Sequence, residues 1–200
     1  MAKGLGVEAQ SVNFATLSWH RSFTTKLSTP LKRNVRRFSK LHMGLDATVY
    51  CDCFETGRLK EPPPCASVFV SDDGSLGCGS EDLDALLAFD QWRCHRACDH
   101  PAGVLLHHRL GNLTEVGLIR SELQRDGSVF PNLLSKVLYS GTHAGDYLAL
   151  EDISNIEVEL ERLSKFVCAV QRNQELIDWF CRQMIELAEA AKRVGKPISF

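Results

Sequence analysis

The sequence predicts an α+β fold, a small mixed or antiparallel sheet covered by helices, with a long amphipathic helix close to the C-terminus. Three observations carry this. Residues 45–54 alternate around Leu45, Ala47, Val49, Cys51 and Cys53, the two-residue period of a half-buried strand. Residues 173–194 set Ile177, Phe180, Cys181, Met184, Leu187, Ala188 and Ala191 at three- and four-residue spacing, the stripe of a helix seated on a core. Between them, short apolar runs are separated by turn residues, with no repeat of solenoid period.

Taken in order, the 45–54 strand runs into a loop ended by Pro62-Pro63-Pro64. Val68-Phe69-Val70 is a short second strand closed by the turn Ser71-Asp72-Asp73-Gly74. Ser80 can cap a helix through about Cys94, with Leu83, Leu86, Leu87 and Trp92 on its apolar side. Val104–Leu110 reads as a third strand, and Asn112 with Glu115 forms a capping box opening a helix with Val116, Ile119 and Leu123. Val137-Leu138-Tyr139 resembles a strand delivering the chain to a glycine loop. Ser154 with Glu157 makes a second capping box, for a helix through about Ser164. The last helix is stopped by Gly195 and Pro197.

A hydrophobic share of 44% and a charged share of 24% suit a globular chain, and no segment reaches the ~18 continuous apolar residues of a membrane span. The net charge of -2 hides a split. Residues 1–42 carry eight Lys/Arg against Glu8 alone, whereas residues 43–200 hold fifteen Lys/Arg and twenty-four Asp/Glu. All eight cysteines and six of the seven prolines lie beyond residue 42. The organisation predicted is a basic, disordered N-terminal extension over residues 1–42 and one acidic domain over residues 43–200. The extension is hydroxyl-rich and acid-poor like a transit peptide, but the required amphipathic helix is faint. Lys32-Arg33 and Arg36-Arg37, with Phe38 for stacking, are the sequence's one route to nucleic acid. A plain solvated tail, or translation begun upstream of a natural start at Met43, explains the same residues. No apolar stretch precedes a small-residue cleavage site, so the expected location is the cytoplasm.

The stretch Met43-Gly-Leu-Asp-Ala-Thr-Val-Tyr-Cys-Asp-Cys-Phe-Glu-Thr-Gly57 resembles the opening of an uncharacterised group of small bacterial cytosolic proteins. Cys98-Asp99-His100 and the closing Lys196-Pro197-Ile198 are compatible with that group. The resemblance implies a start at Met43 and supplies no activity.

Without a signal peptide a disulfide framework is not expected, which leaves reduced thiols or metal ligation. Cys51 and Cys53, two apart in the predicted strand, project to one side. Cys98 and His100 repeat the spacing in a loop, and together the four supply the soft-to-borderline donors of a tetrahedral zinc site. The competing reading makes Cys51 and Cys53 small packing residues. Cys65, Cys78, Cys168 and Cys181 read as solitary.

A catalytic reading centres on the Gly141–Asp146 loop, where His143 lies between glycines and Asp146 follows three residues later. His107 would join them around an open metal position, while its neighbour His108 points to the opposite, core-facing side. A glycine-rich turn with an exposed histidine accounts for the same residues. Glu159 and Glu161 fall on different faces of one helix and read as solvated charge. There is no GxSxG elbow, P-loop, strand-linked GxGxxG or HExxH. Two functions remain: a binding or regulatory module of the immunity-protein or inhibitor kind, carrying structural zinc and docking on a basic protein, and a metal-assisted hydrolase using His143, Asp146 and His107.

Overall fold

The computed structural model describes residues 44–141, 143 and 145–200. The readings of residues 1–42 and of Met43 as a start lie outside the described residues. The fold is α+β, as predicted. β1 (Gly44–Tyr50) buries Leu45, Ala47 and Val49 on one face and leaves the alternate residues less covered. Its antiparallel partner is β4 (Val104–Asn112), in a register that runs from Gly44 opposite Asn112 to Tyr50 opposite Val104. β6 (Ile198–Ser199) pairs with the other side of β1, and β5 (Tyr147–Leu148) pairs with β6. The sheet order is β4-β1-β6-β5, and every pairing is antiparallel.

Helices α2 (Leu113–Gln124) and α4 (Gln174–Val194) pack on β1 and β4, and α3 (Leu150–Leu163) packs against α4. The α4 stripe is fully core: Ile177, Phe180, Met184, Leu187, Ala188 and Ala191 have no exposed surface. Gly195 ends the helix with φ +65°, a left-handed conformation that glycine adopts without penalty, and Lys192 and Arg193 face the negative end of the helix dipole. Asn112 and Glu115 form the predicted capping box: Asn112 Oδ1 accepts from Thr114 and Glu115 amides at 2.9 and 3.0 Å, and Glu115 accepts from the Asn112 amide at 2.7 Å.

Several expectations need correction. The first strand ends at Tyr50, so Cys51 and Cys53 follow it; the Cys51 amide makes a last bond to Gly103 O at 2.8 Å, then the chain turns through Asp52–Arg58. Asp82, not Ser80, caps α1 (Leu83–His95), because its carboxylate reaches the Asp84 and Ala85 amides. The Val137–Tyr139 strand is absent. Leu133–Val137 form one wide π-helical turn whose spacing buries Leu133, Val137 and Leu138 together, a helical pattern that outweighs local β propensity. α3 starts a turn ahead of Ser154, so that Ile153 joins Ile156 and Leu160 in the core. Glu159 is buried rather than solvated. Its carboxylate accepts from the Asn132 amide, the Asn132 side chain and the Leu133 amide at 2.6–2.8 Å, satisfying donors that open the wide turn.

Residues 51–103 leave the sheet at Tyr50 and return at Val104 as a separate lobe. It holds the hairpin β2 (Val68–Val70) and β3 (Leu76–Cys78), joined by the predicted turn, and α1. Its own apolar cluster buries only Phe89, Trp92 and Ala97, with Phe54, Leu59, Val68 and Leu76 partly covered around them. The lobe rests on the C-terminal segment. Glu55 pairs with the buried Lys196 ammonium, Asp73 accepts from Ser199 Oγ at 3.3 Å, and Gly74 lies under Pro197.

Candidate metal centre

The two feet of the lobe stand side by side because β1 and β4 are neighbours. Cys51 and Cys53 come off the end of β1, and Cys98 and His100 lie on the arm returning to β4. Cross-links hold the arms together: the Lys60 amide donates to Ala97 O at 2.8 Å, Lys60 pairs with Asp99, and Arg96 pairs with Glu61 at 3.4 Å. After His100, Ala102 and Gly103 both take left-handed backbone (φ 55° and 73°), which costs an alanine about 1 kcal/mol. That turn, closed by the Gly103 amide on His100 O at 2.9 Å, leads the chain from His100 into β4.

The four donor atoms converge. Cys51 Sγ lies 3.8 Å from Cys98 Sγ, Cys53 Sγ 3.5 Å from His100 Nδ1, and Cys98 Sγ 4.0 Å from His100 Nδ1. All four lie within 4.8 Å of one another. With Zn–S near 2.3 Å, ligand atoms at the corners of a tetrahedron stand about 3.8 Å apart. The set therefore needs only a small contraction to enclose an ion. Burial, aided by the neighbouring Cys98 and Cys53 sulfurs, pushes the Cys51 thiol up to about 12. Burial likewise raises Cys53. A divalent cation reverses that logic by stabilising thiolates directly. Four protein donors leave no open position, the pattern of a structural rather than a catalytic zinc site.

The other predicted site residues are not gathered. His107 is on β4, hydrogen-bonded through Nδ1 to Thr48 Oγ1 at 3.0 Å, and His108 pairs with Glu186 of α4 at 2.7 Å. His143 lies by the β5–β6 side of the sheet, flanked by the tilted Tyr139 and Phe200 rings at centroid distances of 4.6 and 4.8 Å. β4 and β5 are opposite edges of the four-stranded sheet, about 14 Å apart at ordinary strand spacing, with His107 on β4 and His143 in the segment leading to β5. The His143 side chain is 1% exposed, in place of the surface histidine a glycine turn suggests. Its Nε2 donates to Val137 O at 2.8 Å, while Nδ1 has no hydrogen-bond partner among the described residues and sits 3.9 Å from Asp146. Asp146 accepts from Tyr139 Oη. The adjacent cavity, ≈ 320 Å³, is lined by Tyr139 and Asp146 but not by either histidine.

Two of the solitary cysteines are a pair: Cys65 Sγ and Cys78 Sγ are 3.1 Å apart. Their spacing in sequence gives no motif. The signal was the predicted turn, since a chain that doubles back at Ser71–Gly74 returns Cys78 toward the residues preceding β2.

Among known proteins, no family model, no curated protein and no solved structure matches this chain.

Proposed function

We propose that Cys51, Cys53, Cys98 and His100 hold one zinc ion that closes the neck of the lobe, and that the chain acts as a binding module whose contact element is this lobe. The observation that carries the reading is the convergence of four soft-to-borderline donors from two arms of the chain. A lobe with three buried apolar residues gains from a metal what its core cannot supply. Without an open coordination position, the ion organises structure and leaves recognition to the surface.

That surface supports a basic protein as partner. α1 has two apolar faces: Phe89 and Trp92 point inward, while Leu83 (67% exposed), Leu87 (55%) and Leu86 point outward. Glu81, Asp82 and Asp84 surround the start of this outer face, and residues 51–103 hold ten Asp/Glu against four Lys/Arg. Exposed leucines with carboxylates at one end of their stripe fit an amphipathic, cationic segment.

Metal analysis of the full chain purified in Zn-containing medium is expected to give close to one zinc per chain, and Cys98→Ser to give almost none. Equal metal in the two proteins sinks the site. An NMR titration of the zinc-loaded chain with an amphipathic Lys/Leu peptide is expected to move resonances of residues 81–95, with loss of binding in Leu83→Ser/Leu87→Ser. Shifts centred elsewhere, or none, remove the partner reading while leaving the metal reading in place.

A further inference from the structure

Eight cysteines divide into environments of different chemistry. Five line the core or the neck: Cys168 and Cys181 are buried in the main core with thiols raised by burial, and Cys51 and Cys53 belong with Cys98 to the neck. Cys94 stands on the α1 surface. Cys65 and Cys78 are alike in being half-exposed and adjacent. Cys78 closes β3, and Cys65 sits just beyond the Pro62–Pro64 run, at the open end of the hairpin where the Gly79 amide bonds Ser67 O at 3.0 Å. Their sulfurs are only about 1 Å beyond the ~2.05 Å of an S–S bond.

We infer that Cys65 and Cys78 are a reversible dithiol–disulfide site that exchanges with low-molecular-weight disulfides at the surface of the lobe. The roles are set by the hydrogen bonds. The hydrogen bond the two thiols share, aided by the Ser80 backbone N–H, holds the Cys78 thiol below the ordinary thiol range while that of Cys65 is raised. Cys78 is therefore the attacking sulfur and Cys65 the resolving one. The Cys78 thiolate attacks one sulfur of RSSR, forming Cys78–S–S–R and releasing RS⁻, which takes a proton from water. Cys65 then gives its proton to solvent and attacks the Cys78 sulfur, forming the Cys65–Cys78 bond and releasing the second RS⁻. Two electrons pass from the cysteine pair to RSSR, which leaves as two RSH.

The oxidised bond ties the hairpin's open end, between the Pro run and α1. The reaction is independent of the neck, because neither sulfur belongs to the four-donor set. The test is to incubate the reduced full chain with oxidised glutathione, alkylate the remaining thiols and map every cysteine by peptide mass. The expected result is a Cys65–Cys78 disulfide formed ahead of any modification at Cys51, Cys53 or Cys98, and reversed by reduced glutathione. Cys65→Ser is expected to stop at a glutathione adduct on Cys78, and Cys78→Ser to form no internal bond. First oxidation within the neck set, or stable glutathione adducts on the unaltered chain with no internal bond, overturns the inference. Mapping each cysteine separately keeps this result distinct from failure of the metal site.

Discussion

The sheet-and-helix body and the lobe of residues 51–103 bury apolar surface on different scales. The body interleaves the inner faces of β1 and β4 with stripes from α2, α3 and α4 into one continuous core around Phe180, Met184 and Ile119. The lobe has Phe89, Trp92 and Ala97, and it returns to the sheet beside four side chains whose soft-to-borderline donor atoms converge. Side by side, they teach that in this chain packing and ligation are alternatives. Where periodic apolar sequence is long enough, apolar burial makes the core; where it runs out, cysteines cluster.

The sharpest way to break this contrast is to strip the metal. Apparent binding energies of structural zinc are about 10–16 kcal/mol at neutral pH, the largest single effect expected here. With a chelator present, hydrogen exchange is expected to accelerate across residues 51–103 while α2 and α4 stay protected. Protons compete for the same donors, so the metal is expected to leave as pH falls. A lobe that keeps its protection without metal would erase the distinction.

Phe180→Ala attacks the other side. The ring is wholly buried in the body, and its loss is expected to cost about 3–5 kcal/mol in urea unfolding. Zinc content should be unchanged if the two regions are separately stabilised, and a concurrent loss of metal would show them coupled.

A smaller effect, about 1–3 kcal/mol, is expected at Glu122, whose buried carboxylate accepts from Asn173 Nδ2 at 2.7 Å and the Ala169 amide at 3.1 Å. The Asn173 hydrogen bond, assisted by the backbone amides, holds its pKa below the ordinary 4.5. A depressed folded value contributes stability that is present above about pH 4.5 and is lost as pH falls through the folded value. Glu122→Gln is expected to flatten the acid limb of the stability curve for the body. An unchanged limb would assign acid sensitivity to other carboxylates.

The body was the more legible half, for a physical reason. α4 and the Asn112 box are written in contiguous residues, where spacing alone sets burial and capping. Glu122 and Glu159 were illegible because each acts on a segment tens of residues away, and a carboxylate's burial depends on which amides arrive beside it. The four converging donors of the neck were readable from their types and paired spacing, although the strand face invoked for Cys51 and Cys53 is replaced by a turn. What joins them to Cys98 and His100 is the β1–β4 ladder, a pairing across about 50 residues whose closure no local pattern announces. The Cys65–Cys78 pair was hidden in the same way, inside a hairpin whose turn was nonetheless visible.

The position of Tyr50 opposite Val104 has a consequence for descent. Within a strand, one inserted residue turns every following side chain to the wrong face of the sheet. No residue between 51 and 103 pairs with a strand of the four-stranded sheet, so an insertion in the loop around Pro62–Pro64 lengthens an excursion without disturbing that sheet's register. Length and surface chemistry are free to drift there from one descendant to the next, while the residues that anchor the feet and those that fill the body are held in place.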